Sequence, residues 1–322
     1  MTKPHINIIS PALAKANNGN WQTAHRWAAF LHSRYRVTIA ARWDEKRCDA
    51  MIALHARRSA ASIAAYAAAF PSLPLLVVLT GTELYRDILN DVVARRSLQM
   101  ASQLVVLQAD GLRQLDGTLR SKAHVIYQSA PLLKSARKSS RHFDVIMVGH
   151  MRDEKDPATY MRAAAQIKSG NIRLIHIGDA LEPHLGTQAE TTQDEHPNYH
   201  WLGSLPHAAT RQRVKRSHLM VITSKMEGGA NVIVEAITSG VPVLASNIPG
   251  NRGMLGERYP GFFPLGNSVK LAAMCDRAAC DVLFYKELQS QCDDRLALFT
   301  SEREKAAVLS LVDAALSNEG VS

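Results

Sequence analysis

Apolar positions along the chain fall into short β-rich runs separated by stretches of helical period. In the first half these runs predict strands at residues 6–10, 36–41, 51–54, 75–79, 103–107 and 123–127, with helices over 21–33, 59–70, 87–100 and 110–119. In the second half they predict strands at 143–148, 173–177, 200–202, 219–223 and 243–246, with helices over 158–167, 208–217, 231–239 and 268–281. A last helix over 302–316 carries apolar residues at Ala306, Leu309, Val312 and Leu316, a stripe that must dock on something. Strands alternating with helices indicate parallel sheets covered on both faces, so the fold class is α/β. The stretch 134–141 is polar, basic and without hydrophobic period, and it reads as a linker between residues 1–135 and 142–300. Each half then makes one doubly wound, Rossmann-like domain. Ligands of such sheets bind outside the carboxyl ends of the strands, so a central cleft faced by both domains is the expected active site.

Charge sharpens this picture. Residues 1–140 hold 19 Lys+Arg against 8 Asp+Glu, and the remainder holds 19 against 21. A basic first half suggests an anionic ligand, an acidic membrane surface or nucleic acid, against the plain alternative of a solvated basic face. Aromatic residues are sparse in the basic runs and no nucleic-acid motif is present, which disfavours nucleic acid. The longest apolar run, 60–79, is broken by Pro71 and Pro74, so no integral membrane segment is expected. Met1–Pro4 leads straight into the first strand, and Cys48, Cys275, Cys280 and Cys292 lack metal-ligand or disulfide spacing. The expectation is a cytoplasmic protein with reduced thiols, no obligatory metal and no cofactor. Oligomeric state is not legible.

The richest chemistry lies in Ser224-Lys225-Met226-Glu227-Gly228-Gly229-Ala230-Asn231-Val232-Ile233-Val234-Glu235, after the strand at 219–223. A helix opening near Ala230 leaves the amides of Gly228, Gly229, Ala230, Asn231 and Val232 available, and free amides at the positive end of a helix suit a diphosphate. Glu235 sits about a turn inside that helix and can accept from ribose hydroxyls. Glu227 sits at its mouth, facing a sugar. Upstream, Val148-Gly149-His150-Met151-Arg152-Asp153-Glu154-Lys155-Asp156-Pro157 closes a strand with cations suited to phosphate oxygens. Gly178 ends another strand in a turn that resembles the glycine turn beneath the nucleotide in nucleotide-sugar enzymes. Leu205 lies in Leu202-Gly203-Ser204-Leu205-Pro206-His207, which resembles a segment whose backbone contacts the base in nucleotide-sugar enzymes.

In the first half, Gly19 lies in Ala16-Asn17-Asn18-Gly19-Asn20-Trp21-Gln22-Thr23, where backbone can approach a donor phosphate or the asparagines can form an Asx turn and cap. His55, Arg57 and Arg58 follow a strand end, and two arginines there make an oxyanion site. Thr82 and Glu83 follow the strand at 75–79.

The segment around Glu227 and Glu235, followed by Gly240-Val241-Pro242-Val243, resembles the donor site of retaining family-4-type glycosyltransferases with the GT-B fold. That resemblance implies that Lys155 and Arg152 neutralise a donor diphosphate, with His150 where the family has arginine. It also implies that a terminal helix over 301–318 crosses back to the first domain. Thr80-Gly81-Thr82-Glu83 stands where many of these enzymes carry a histidine near the donor sugar. Together with Asn17-Asn18-Gly19-Asn20-Trp21-Gln22-Thr23-Ala24 and Leu54-His55-Ala56-Arg57-Arg58-Ser59, it is similar to the selenosugar synthases of bacterial selenoneine biosynthesis along the whole chain. The implied reaction joins the sugar of UDP-N-acetylglucosamine or UDP-glucose to selenophosphate, giving a 1-seleno-sugar, UDP and phosphate. His55, Arg57, Arg58, Thr82, Glu83 and Lys225 are then the acceptor-side candidates. A lipid or polysaccharide-precursor acceptor, a non-catalytic anion- or nucleic-acid-binding protein, and a GT-B sugar epimerase stay open as alternatives.

Overall fold

The computed structural model describes residues 3–13 and 19–317. The chain divides into two compact units: one runs to Gln128 and takes in the segment from Ser301, the other is Ser129–Thr300.

The first unit is a six-stranded parallel sheet of β1 (His5–Ile9), β2 (Arg36–Ala40), β3 (Ala50–Leu54), β4 (Leu75–Leu79), β5 (Gln103–Val106) and β6 (Ala123–Val125), in the order β2-β1-β3-β4-β5-β6. β3 and β4 are buried at every position, because layers on both faces remove them from water; β2, at the edge, is not. Strand order reverses between β1 and β3, which makes their carboxyl ends the switch point where ligands of such sheets bind. Of the loop leading to the first helix, Ala16, Asn17 and Asn18 lie outside the described residues. Gly19 itself opens that helix, Gly19–Leu31, and its carbonyl accepts from Thr23 Oγ1 at 2.8 Å.

Two expected helices are each divided in two. The stretch 87–100 is Asp87–Asn90 followed by Val92–Met100, with Asp91 extended between them and accepting from the amides of Val93 and Ala94. The stretch 110–119 becomes a 3-10 turn, Ala109–Gln114, and a short helix, Gly117–Ser121, capped by Asp116. In both places a short carboxylate competes with the helix for backbone amides.

The last helix, Ser301–Ser317, joins the core of the first unit: Val308, Leu309, Val312 and Ala315 pack with Trp27, Leu31, Ile6 and Ile8. Its buried Glu304 accepts from Arg26 Nε at 2.7 Å, Arg26 Nη2 at 3.0 Å and Trp27 Nε1 at 2.8 Å.

The second unit is a parallel sheet of β7 (Phe143–Val148), β8 (Ile172–Ile177), β9 (Tyr199–Trp201), β10 (Leu219–Ile222), β11 (Val243–Ser246) and β12 (Phe262–Phe263), in the order β12-β11-β10-β7-β8-β9. Here the order reverses between β7 and β10. β12 and the helices Pro183–Glu195, Pro249–Leu255 and Val282–Asp293 were not expected. The first of these helices buries Leu185, Gly186, Ala189 and Thr192, a stripe with helical spacing but little hydrophobicity. No helix among the described residues is long and apolar enough to cross a membrane.

Replacing Glu304 by Ala strips Arg26 and the indole N–H of Trp27 of their shared acceptor. The expected loss is about 3 kcal/mol, since the partner left behind is a partly buried charge. Urea unfolding checks it; a loss under about 1 kcal/mol, as for a surface pair, would show that the last helix is held by its apolar stripe alone.

Candidate active site

The switch point of the second unit brings two strand ends together. β7 runs into Gly149, His150 and a 3-10 turn, Asp153–Lys155, closed by Asp156 in the left-handed region (φ 46°). Pro157 then starts the next helix, Pro157–Ala164. β10 runs into Thr223, Ser224 and the Glu227–Gly229 turn. Three bonds tie these segments: Thr223 Oγ1 donates to Lys155 O at 2.8 Å, the Lys225 amide to Glu154 O at 2.8 Å, and Lys225 Nζ to Asp153 Oδ1 at 2.6 Å.

On this frame Lys155 Nζ donates to Glu227 Oε1 at 2.6 Å, and Ser224 Oγ donates to the same oxygen at 2.6 Å. The side chains of Lys155 and Glu227 are 24% and 9% exposed, so water screens the pair poorly and the bond is charge-assisted. Ser224 is fixed in turn. Its carbonyl accepts from Ser246 Oγ at 2.6 Å, and Asn251 Nδ2 donates to Ser246 O at 2.9 Å, all among buried residues. Gly250 presses against the Glu227 backbone so closely that a Cβ there would lie 2.0 Å from Glu227 O.

The helix Asn231–Ile237 follows, with Ala230 at its cap. The amides of Gly228, Gly229, Ala230, Asn231 and Val232 have no acceptor among the described residues. Glu235 points to the preceding helix, His207–Arg216, where His207 Nε2 donates to Glu235 Oε1 at 2.7 Å. That hydrogen bond raises the His207 pKa above its ordinary value, against a smaller opposing effect of burial. Leu205 precedes Pro206, the cap of the same helix, and its carbonyl accepts from Thr210 Oγ1 at 3.4 Å.

Beside Lys155, Gly149 and Gly178 pack backbone to backbone. Gly178 has φ +150°, and a Cβ on it would lie 2.0 Å from Gly149 O. His150 Nδ1 accepts from the Asp179 amide at 3.1 Å, which holds its ring back on the turn after β8. Arg152 Nε is buried and has no acceptor among the described residues, leaving a guanidinium donor available. Thus Lys155 and Glu227 come into direct contact, Glu235 is engaged by a different helix, and Lys225 is spent on an exposed ion pair.

In the first unit, the carboxyl end of β3 carries His55, Arg57 and Arg58. Arg57 bonds Asp91 and lines a cavity of about 580 Å³ with Arg86, Asp87, Asn90 and Val92. Arg58 is exposed and does not line that cavity. His55 and Glu83, at the ends of β3 and β4, meet in the interior, with His55 Nε2 3.4 Å from Glu83 Oε2. Glu83 is 0% exposed and offers a ligand no surface of its own.

Sequence reasoning missed four residues that shape the site: Ser224 and His207, each bonded to a candidate glutamate, and Asn251 and Gly250, which fix the ground beneath Glu227. Ser224 stands three residues before Glu227 and His207 two after Leu205, so both lay inside segments already singled out. Gly250 and Asn251 gave no local signal.

Residues 131–274 match the family model described as "Glycosyl transferases group 1". A curated relative, Glycosyltransferase 1 domain-containing protein 1 of Xenopus tropicalis, is 24% identical over 285 residues, covering 80% of this chain and 83% of that one. Among solved structures, Anabaena HepE in complex with UDP and glucose superposes with a TM-score of 0.74 at 16% identity, covering 98% of this chain and 100% of that one. Sucrose-phosphate synthase from Thermosynechococcus elongatus gives 0.79 at 14% identity, again covering 98% and 100%. The fold is that of the GT-B glycosyltransferases, two Rossmann-like units with parallel sheets. The group 1 glycosyltransferase match lies within the second unit, and it supports a glycosyltransferase.

Gly250→Ala should force the Glu227 backbone aside, lowering turnover and costing about 1–3 kcal/mol by overpacking. Gly170→Ala, with nothing within 4 Å of its Cβ, is the control. Equal behaviour of the two variants in turnover and urea unfolding would refute the constraint. His207 gives a pH signature. Its folded pKa is raised, so its contribution to stability is complete below about 6.5 and lost as pH rises through the folded value. The stability gap between the wild type and His207→Ala should therefore be larger at pH 6 than at pH 9; a gap independent of pH would mean that the bond to Glu235 is not charge-assisted.

Proposed function

We propose that the protein transfers a sugar from a UDP-sugar, UDP-N-acetylglucosamine or UDP-glucose, to selenophosphate, giving a 1-seleno-sugar, UDP and phosphate. The observation that carries the donor half is the Lys155–Glu227 pair beside the free amides of residues 228–232, in a group 1 glycosyltransferase domain. HepE, of the same fold, has been solved with UDP and with UDP-glucose, which supports a uridine nucleotide here. The acceptor half is supported by the resemblance of the first-unit motifs to selenosugar synthases, and by Arg57 and Arg58 at the switch point of that unit.

In this reading the diphosphate lies on the amides of residues 228–232, with Lys155 and Arg152 supplying positive charge. Glu235 accepts from the ribose. Glu227, held on one oxygen by Lys155 and Ser224, keeps its second oxygen for the sugar and for the positive charge that develops at the anomeric carbon. Selenium forms the bond to that carbon as the bond to the UDP oxygen breaks, and the electron pair leaves with UDP. Water then takes the phosphoryl group from selenium, releasing phosphate and the seleno-sugar. Stabilising charge on the departing diphosphate is the largest demand, and preorganised amides and cations meet it without reorganisation. Selenophosphate is already anionic, so its attack needs no general base. That fits a switch point at which the accessible groups are arginines.

Glu235→Ala should weaken UDP binding by about 1.5–3 kcal/mol, roughly ten- to 150-fold, through loss of charge-assisted bonds. Unchanged UDP affinity in calorimetry would remove Glu235 from the donor site. In UDP-release kinetics, the double variant Arg57→Ala, Arg58→Ala should raise the KM for selenophosphate and leave the KM for the UDP-sugar in place. The opposite pattern would move these arginines to the donor.

A further inference from the structure

The donor and acceptor roles assigned above give no work to a buried polar cluster in the first unit. His55 is 4% exposed and Glu83 0%. His55 holds φ +70°, a left-handed conformation that costs a residue with a Cβ of order 1–3 kcal/mol and persists only where its surroundings fix it. They do so here. The His55 amide donates to Val78 O at 2.8 Å, its carbonyl accepts from the Ser59 amide at 3.0 Å, and its Nδ1 accepts from the Arg58 amide at 3.3 Å. An Nδ1 that accepts leaves the proton on Nε2, and Nε2 faces Glu83 Oε2 at 3.4 Å. The other oxygen, Oε1, accepts from the Thr80 amide at 2.7 Å.

Glu83 thus accepts from an amide on Oε1, while its Oε2 lies 3.4 Å from His55 Nε2 without forming a hydrogen bond. It has no cation in contact, and burial pushes its pKa up to about 7. Burial also lowers His55 to about 4, with Arg58 acting in the same direction, so His55 is neutral at physiological pH. A proton on Glu83 faces an N–H at either oxygen. On Oε1 it meets the Thr80 amide, and on Oε2 it meets Nε2–H unless the ring changes tautomer. The second tautomer sets Nδ1–H against the Arg58 amide and breaks the bond that holds the arginine turn. Thr80 Oγ1 is also buried without a hydrogen-bond partner among the described residues.

We propose that His55 and Glu83 form a positioning pair that sets the Arg57–Arg58 turn for an anionic ligand, engaged while Glu83 is ionised. The inference rests on the reading of Arg57 and Arg58 as the anion site. The charged groups acting on the pair are Arg58, Arg57 and Asp87. Glu83 is the member whose pKa lies between pH 6 and 8. With a midpoint of about 7, the engaged fraction falls about tenfold from pH 8 to pH 6, and apparent affinity falls with it.

The test uses the full chain, with sulfate as the probe because it stays dianionic over this range. Wild type should bind sulfate about tenfold more weakly at pH 6 than at pH 8, while Glu83→Gln, nearly the same size, should show a flat profile. UDP affinity should be insensitive to the substitution. Ring 15N spectra, with the His55 signal assigned by His55→Asn, should show the Nε2–H tautomer at pH 8 and a change near pH 7 that Glu83→Gln abolishes. Sulfate binding that needs Arg57 and Arg58 but has the same pH slope in Glu83→Gln overturns the pairing and leaves the anion site standing. A ring that titrates with Glu83 while sulfate ignores Arg57→Ala, Arg58→Ala overturns the anion site, and this inference with it.

Discussion

The ion pair between Lys155 and Glu227 is the constraint around which the second unit is arranged. Each partner comes from a different strand end at the switch point of the sheet, and neither is well solvated. Either one left alone would be a partly buried charge, which is why so much neighbouring structure serves to keep the two in register. Thr223 grips the Lys155 backbone. Ser224 shares the load on Glu227 and is itself held through Ser246 and Asn251. Gly250 leaves no slack behind Glu227. Together these contacts fix the geometry of the pair, which is what a site that stabilises developing charge would require.

The two units use one architecture for different electrostatics. In the second, the switch point offers amide N–H groups, a lysine engaged with a glutamate, and a histidine-backed Glu235, a mixture suited to a ligand with both phosphate and hydroxyl groups. In the first, the corresponding strand end offers two arginines over a buried imidazole and carboxyl. These two arginines belong to the excess of basic residues before residue 140.

Strands were the most legible part of the fold. β4, β7 and β11 run where the apolar runs place them, because a strand covered on both faces must be apolar throughout. Helices were less so. Asp91 splits one by capping its second half. Pro183–Glu195 buries too little apolar surface to print a period. Within the site, Glu227, Glu235 and Lys155 could be read because their spacing sits in a recognisable strand-turn-helix frame. Ser224 and His207 lay in the same frame, but their roles depend on rotamers. Gly250 and the His55–Glu83 contact depend on which distant strand ends become neighbours, and no local pattern carries that information.

The proposed acceptor is selenophosphate, and the proposed bond joins carbon to selenium. The most direct measurement is anaerobic incubation of the purified protein with UDP-N-acetylglucosamine, with and without selenophosphate, followed by mass spectrometry. A sugar product bearing the selenium isotope pattern, formed with an equal amount of UDP and only when selenophosphate is present, is the predicted result. UDP-sugar binding with no selenium-bearing product, there and in a parallel incubation with UDP-glucose, would contradict that proposal and send the search to another acceptor.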